Sequence, residues 1–254
     1  DVPEDFEIAD SEQIYKYFNH FFLYVVKELI TKYISMLNPD LLRFLEDLKN
    51  NNNTEWFEKN RDRYKELREH FVNFTALLIH ELSAMDPSIG YPDPKKTIFR
   101  INRDIRFSKN KDPYKTNMGA FISGGGRKTA LPGYYFHIEP GANMIAGGMY
   151  RPPAPELKRI RKEIFENPKE FREIIHQHEF QKAFGELYGE KLKTAPMGYP
   201  KDHPDIELVN YKSYTVLREV SDEFLVSPDL LNETLYYYKL MKPLNDFLNR
   251  AVNG

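Results

Sequence analysis

The sequence of 254 residues contains no cysteine. A disulfide scaffold, a cysteine-ligated zinc or iron–sulfur site and a cysteine nucleophile are therefore excluded. The chain also has no long apolar run. Its most apolar stretch, residues 21–26, is far shorter than a membrane span and is followed by Lys27 and Glu28. Any chemistry must rest on histidine, carboxylate, arginine, lysine, tyrosine or serine side chains.

Net charge of either sign is scarce as well, because 36 Lys and Arg face 38 Asp and Glu. A chain with this balance, 18 Phe and 17 Tyr is not disordered as a whole. The first twelve residues are acidic where a signal peptide has a basic start, so the sequence predicts a soluble cytoplasmic protein without a membrane partner.

The small total charge conceals a strong segregation. Residues 95–128, which we call the basic segment, contain ten Lys and Arg against two Asp, a net charge of +8. The rest of the chain therefore carries −10, since the total is −2. The sequence thus indicates an anion-attracting segment within an acidic body.

The periodicity of apolar residues predicts an α+β fold. Helical spacing covers 11–36, 39–49, 54–85, 154–166 and 168–183, and Ser227-Pro228 opens a C-terminal helix that Pro243 is expected to interrupt. Strand-like alternation occurs near 97–101, 118–123, 134–139, 144–150 and 211–219. Short turns predict an antiparallel sheet over about 97–150 plus the strand near 211–219, packed by N- and C-terminal helices. We expect a helical extension over 1–36 and a single domain over 37–254.

Three arginines spaced by three residues stand out in the basic segment. Arg100 and Arg106 would share one face of a strand, and a turn near Asp104 would bring Arg103 to them. Asp104 is placed to orient one guanidinium by a bidentate pair. Such a cluster suits a phosphate or carboxylate ligand. The remaining candidate ligand-binding residues of the segment are Ser108, Lys111, Tyr114 and Lys115. The alternative is a solvated face whose Arg–Asp pairs hold a loop.

His137 and Glu139 alternate on a predicted strand and project on one face, with Tyr135 beside them. They are the candidate catalytic pair, as proton-transfer partners or as two metal ligands. Nothing nearby supplies a third ligand, so no metal and no cofactor are predicted. A structural histidine is the alternative. His203, in a proline-rich loop, is a further candidate ligand-binding residue or a turn former.

Four separated motifs carry a resemblance. They are NNNTEWF at 51–57, RDIRFSKNKDPYK at 103–115, PGYYFHIEP at 132–140, and PMG at 196–198 followed by DHP at 202–204. Together they resemble a bacterial and fungal family catalogued as a domain of unknown function, over about residues 37–252. The resemblance implies one intact soluble, intracellular domain and no particular reaction, cofactor or catalytic residue.

Three functions remain open from the sequence. The first is a site for a small anionic ligand around Arg103, Arg106 and Lys115, with His137 and Glu139 transferring protons if the site is catalytic. The second is nucleic-acid binding, in which Phe99, Phe107 and Tyr114 would stack on bases; the pI of about 6.4 argues against it. The third is a structural protein that forms a homodimer through the helix at 11–36.

Overall fold

The computed structural model describes residues 37–254. The helix predicted at 11–36, and the homodimer expected through it, lie outside these residues. The helices are α1 (Asp40–Asn50), α2 (Thr54–Lys59), α3 (Arg61–Met85), α4 (Pro94–Thr97), α5 (Ala154–Glu166), α6 (Pro168–Ile175), α7 (His178–Phe184), α8 (Ile206–Val209), α9 (Asp222–Leu225) and α10 (Leu230–Asn253). The strands are β1 (Met118–Ile122), β2 (Gly133–Ile138), β3 (Asn143–Met149) and β4 (Tyr214–Val220).

The four strands form one antiparallel sheet in the order β1-β2-β3-β4. The first three strands are a meander joined by short turns, whereas α5 to α8 lie in the connection between β3 and β4. Together with the helices, this sheet confirms the predicted α+β fold.

One face of the sheet packs against the two longest helices. Phe136 of β2 contacts Phe74 of α3 with ring centroids 5.2 Å apart, and Tyr134 contacts Tyr238 of α10 at 4.9 Å. The approach of α10 is so close that a Cβ on Gly147 of β3 would lie 2.6 Å from the sulfur of Met241. The core therefore lies between this face and the helices, and the opposite face, which we call the outer face, is left without a helical layer from α3 or α10.

Three expectations about helices were wrong in detail. The helix predicted at 168–183 is divided after Ile175 into α6 and α7. The helix predicted at 54–85 is divided at Asn60 into α2 and α3. Pro243 does not interrupt the C-terminal helix, because α10 continues through it. Pro243 and Lys239, whose carbonyl loses its amide partner, are both exposed. Water can therefore hydrogen-bond that carbonyl, which makes a proline tolerable at this position.

The strand expected at 97–101 is also absent. Thr97 ends α4, which Asp93 caps, and Ile98 forms only an isolated bridge to Ala120 of β1. Beyond it the chain folds back on itself through the amide of Arg103, which donates to the carbonyl of Pro113, and the amide of Lys115, which donates to Ile101. Residues 98–117 of the basic segment thus run beside β1 as a loop, so the side-chain alternation of a strand does not apply to Arg100, Arg103 and Arg106.

Candidate functional site

Asn52 fixes the basic segment to the helical layer. Its side-chain amide donates to the carbonyl of Tyr114 at 3.0 Å, and its side-chain oxygen accepts the amide of Tyr114 at 3.1 Å. The ring of Tyr114 is buried and stacks on Phe57 at a centroid distance of 4.0 Å. Tyr114 therefore holds the basic segment in place, and it also lines the neighbouring pocket described below. Two of the motifs seen in the sequence thus pack directly on each other.

Most of the predicted ligand-binding residues hold the loop together. Arg106 forms the expected bidentate pair with Asp104, at 2.6 and 2.9 Å. Arg103 donates to the hydroxyl of Ser108 and to the carbonyl of Asp112. Lys111 donates to the carbonyl of Ile105. These contacts match the alternative interpretation, in which internal pairs stabilise a loop.

Arg100 has a different environment, because it lines a pocket between α3 and the basic segment. Of the three arginines spaced by three residues, Arg100 alone lines it. The volume of this pocket, which we call the cationic pocket, is about 450 Å³. Its six cationic side chains come from α3, α4 and the basic segment: Arg61, Lys65, Arg68, Lys95, Arg100 and Arg127. No carboxylate from the described residues lines the pocket.

The six cations differ in how far they are neutralised. Arg61, Lys65 and Lys95 pair with acidic residues outside the pocket lining: Glu58, Asp62 and Glu69, respectively. Arg68 bonds to Tyr64, and Arg127 donates to the carbonyl of Ile98 at 2.8 Å. Arg100 forms no ion pair or hydrogen bond with any residue of 37–254. Three guanidinium groups of the pocket, those of Arg68, Arg100 and Arg127, therefore have no salt bridge to a carboxylate of the described residues.

Phe99 connects the cationic pocket to the sheet. The ammonium nitrogen of Lys115 and the guanidinium carbon of Arg127 lie 5.4 and 4.8 Å from its ring centre. Burial, reinforced by the charges of Arg100 and Arg127, holds the pKa of Lys115 below its usual value. An anion would offset the smaller part of this lowering, which comes from the charges of Arg100 and Arg127.

On the outer face, β2 carries a continuous chain of hydrogen bonds. The hydroxyl of Tyr135 lies 2.7 Å from Nδ1 of His137, and Nε2 of His137 lies 3.1 Å from Oε2 of Glu139. The other oxygen of Glu139 accepts the hydroxyl of Thr116 at 3.2 Å. The sequence predicted that these three side chains share one face, and the structure confirms it.

The chemistry of the three side chains fixes which atom donates in each of these hydrogen bonds. A carboxylate only accepts, so a neutral His137 carries its proton on Nε2 and accepts the Tyr135 hydroxyl at Nδ1. Burial, together with the charge of Glu139, raises the pKa of Tyr135 to about 12, so that the phenol stays protonated. The arrangement joins a hydroxyl, an imidazole and a carboxylate in the order used for activating a hydroxyl group.

Gly119 leaves room for the hydroxyl of Tyr135. It lies opposite His137 in the register of β1 and β2, and a Cβ at this position would lie 2.7 Å from the Tyr135 oxygen. Real Cβ atoms do not approach an oxygen so closely, so any larger residue would displace the hydroxyl.

His203 is remote from both features. Its Nδ1 accepts the amide of Asp205 at 3.1 Å, and its ring packs on Phe165 of α5 at 4.5 Å. Asp205 in turn is paired with Arg172 of α6. His203 lines neither the cationic pocket nor the outer face. In the structure it builds a turn, as the alternative interpretation held.

Three cations of the pocket that were not predicted from the sequence do share a recognisable spacing. Arg61, Lys65 and Arg68 stand at i, i+4 and i+7, which places three cations on one side of a helix. Of the three aromatics considered for base stacking, Tyr114 is buried and Phe99 is covered by cations, whereas Phe107 is 96% exposed. Stacking on several successive bases therefore has little support here.

Within residues 37–254, no three His, Asp or Glu side chains are grouped so that they could hold a metal ion. None of the described helices combines the length and the apolar character needed to cross a bilayer.

Comparison with known proteins assigns the family. No curated protein and no solved structure matches the chain. The model of a family described as conserved hypothetical protein (DUF2461) matches residues 40–247, which cover the basic segment, the cationic pocket and the Tyr135–His137–Glu139 chain. The chain therefore belongs to the DUF2461 family of conserved hypothetical proteins.

Proposed function

We propose that the protein binds a small anionic ligand, bearing a phosphate or carboxylate group, in the cationic pocket. The observation that carries this proposal is the guanidinium of Arg100, which no described residue pairs, in a cavity of about 450 Å³ lined by six cations and no carboxylate of the described residues. A guanidinium group presents two parallel N–H donors that match a pair of oxygens on a phosphate or carboxylate.

The proposal keeps the ligand expected from the sequence but changes the residues that bind it. Arg103 and Arg106 are engaged within their own loop, whereas Arg100, Arg68 and Arg127 face the cavity. Lys115 contributes from the side of Phe99, where its charge adds to those of Arg100 and Arg127. Buried Ile98 and Ile101 form an apolar base under these cations.

Calorimetric titration with inorganic phosphate at low salt tests the proposal. We expect Arg100→Gln to weaken binding at least about tenfold, equivalent to about 1.4 kcal/mol. Arg106→Gln is the matched control, because it removes the same charge from the same segment outside the pocket. If both variants lost the same affinity for phosphate, the loss would reflect the net charge of the protein and not the pocket. Absence of phosphate binding by the wild type would refute the proposal.

A further inference from the structure

A second cavity lies on the outer face of the sheet, and we call it the sheet-face pocket. Its volume is about 600 Å³, which is in the range of pockets for small organic molecules. The floor comes from β2, β3 and β4: Tyr135, His137, Ala146, Gly148, Thr215 and Leu217. The connection between β1 and β2 forms one wall, and residues 149–153 at the end of β3 form another.

Thr215 gives the floor an unsatisfied polar group. The residue is 7% exposed, and its hydroxyl has no hydrogen-bond partner among the described residues. A buried hydroxyl without a partner is costly, and native proteins rarely retain one without a reason. The oxygen itself is covered by neighbouring atoms, so a polar atom of a bound molecule would reach it only if the side chain turned.

Tyr135 presents a second polar group to the same cavity. Because its proton is directed to His137, the lone pairs of its oxygen remain available to accept a hydrogen bond from a ligand. The residues beside His137 in register, Gly119 and Met144, are uncharged, so Glu139 is the charged partner of the imidazole. The floor can thus accept a proton as well as bind a ligand.

The two pockets share a wall residue, since Arg127 lines both. Lys128 and Arg151 add two further cations to the sheet-face pocket. Arg151 has a φ of 48°, the one positive φ of a non-glycine residue within 37–254. Its amide is held by the hydroxyl of Ser213 at 2.9 Å. Backbone in this region is strained, and such strain concentrates at functional sites.

We propose that the sheet-face pocket holds the uncharged, largely apolar part of the same anionic ligand, and that Tyr135 takes a proton from a hydroxyl on that part. The ligand is then an organic phosphate or carboxylate whose apolar body carries an acidic O–H group. Its anionic group lies in the cationic pocket, and its body lies beyond Arg127. This inference rests on the function proposed above.

The proton transfer balances within the residues named. The ligand O–H bond breaks and its proton joins the oxygen of Tyr135. The phenolic proton of Tyr135 moves to Nδ1 of His137. The ligand becomes an oxyanion, and His137 becomes an imidazolium paired with the carboxylate of Glu139. Tyr135 is the catalytic residue, and His137 and Glu139 act through it.

The first experiment compares inorganic phosphate with phenyl phosphate by calorimetry on the full chain. We expect phenyl phosphate to bind the wild type at least about tenfold more tightly than inorganic phosphate does. In Ala146→Leu this difference in affinity should disappear, while the affinity for inorganic phosphate should stay unchanged. Leu217→Phe narrows the same pocket and replaces Ala146→Leu if that variant does not fold. Equal affinity of the two probes would overturn the inference while leaving phosphate binding, and the proposed function, intact.

The second experiment uses 4-nitrophenol, an uncharged probe whose absorbance reports its ionisation. Below its solution pKa we expect the bound probe to be ionised in the wild type and in Tyr91→Phe, an exposed tyrosine outside the pocket. Tyr135→Phe and His137→Gln should bind the probe in its protonated form. No binding at millimolar probe, or unchanged ionisation in both variants, would overturn the inference even if phosphate binds. A probe that binds and ionises in a protein that does not bind phosphate would refute the shared ligand.

Discussion

The rings of Tyr134 and Tyr238 pack at a centroid distance of 4.9 Å, yet only one of the two buried hydroxyls has a partner among the described residues. Tyr134 donates to the carboxylate of Asp86 at 2.9 Å, which ties β2 to the end of α3. The hydroxyl of Tyr238 has no partner within residues 37–254. The pair therefore separates the effect of losing a hydrogen bond from that of losing a hydroxyl.

We expect Tyr134→Phe to lower the free energy of unfolding by about 1–3 kcal/mol, because Asp86 would be left buried with one oxygen unpaired. Tyr238→Phe should change it by less than about 1 kcal/mol or raise it, since an unsatisfied hydroxyl is removed. Urea unfolding of the two variants measures the difference. A larger loss in Tyr238→Phe than in Tyr134→Phe would contradict this account.

The contact between Asn52 and Tyr114 predicts the stability of the basic segment. Asn52→Ala leaves the amide and carbonyl of Tyr114 without their partners and should cost about 1–3 kcal/mol. Limited proteolysis should then cleave the basic segment sooner. Asn51→Ala is the matched control, because the side chain of Asn51 bonds to the nearby carbonyl of Asp47 on an exposed surface. Equal rates of cleavage in both variants would refute the role of Asn52.

Gly119→Ala tests the space reserved for Tyr135. The new Cβ would lie 2.7 Å from the hydroxyl, so we expect a loss of about 1–3 kcal/mol and a changed imidazole NMR shift of His137. Adding Tyr135→Phe removes the nearest atom and should restore part of the stability. Strictly additive effects of the two substitutions would show that the glycine and the hydroxyl do not interact.

Alkaline pH should destabilise the protein through Tyr135. Its pKa rises from the ordinary value of 10.0 to about 12 in the folded protein. Between these values the unfolded chain has lost the phenolic proton and the folded chain retains it, so stability falls as pH rises. Tyr135→Phe should make this fall shallower than in the wild type. Urea unfolding of both proteins at several pH values measures this dependence. Equal slopes of the free energy of unfolding against pH would contradict the raised pKa of Tyr135.

Much of the fold is readable from local pattern. Alternation located β2 and β3 to within a residue, because each strand has one face fully buried. The same rule failed at 97–101, where apolar Ile98 and Ile101 are buried by packing in a loop rather than by strand pairing. Tertiary contacts from α3 and β1 decide that segment, and no local window contains them.

The site was predicted unevenly for a similar reason. Tyr135 and His137 lie on β2 and Glu139 directly follows it, each two residues from the next, so the period of a strand suffices to place them together. The cationic pocket joins Arg68 of α3 to Arg100 and Arg127, which are far apart in sequence. Their proximity depends on how the basic segment folds back over α3, which spacing alone does not specify.

Arg127 lies in the connection between β1 and β2, directly after three consecutive glycines. A ligand that shifts this side chain in one pocket also reshapes the wall of the other. Thermodynamic linkage then makes the effect reciprocal. If a ligand in the cationic pocket changes affinity at the sheet-face pocket by some factor, a ligand in the sheet-face pocket changes affinity at the cationic pocket by the same factor. Two separate fragments of one ligand would bind cooperatively or competitively, and Arg127→Ala would bring their binding closer to independence.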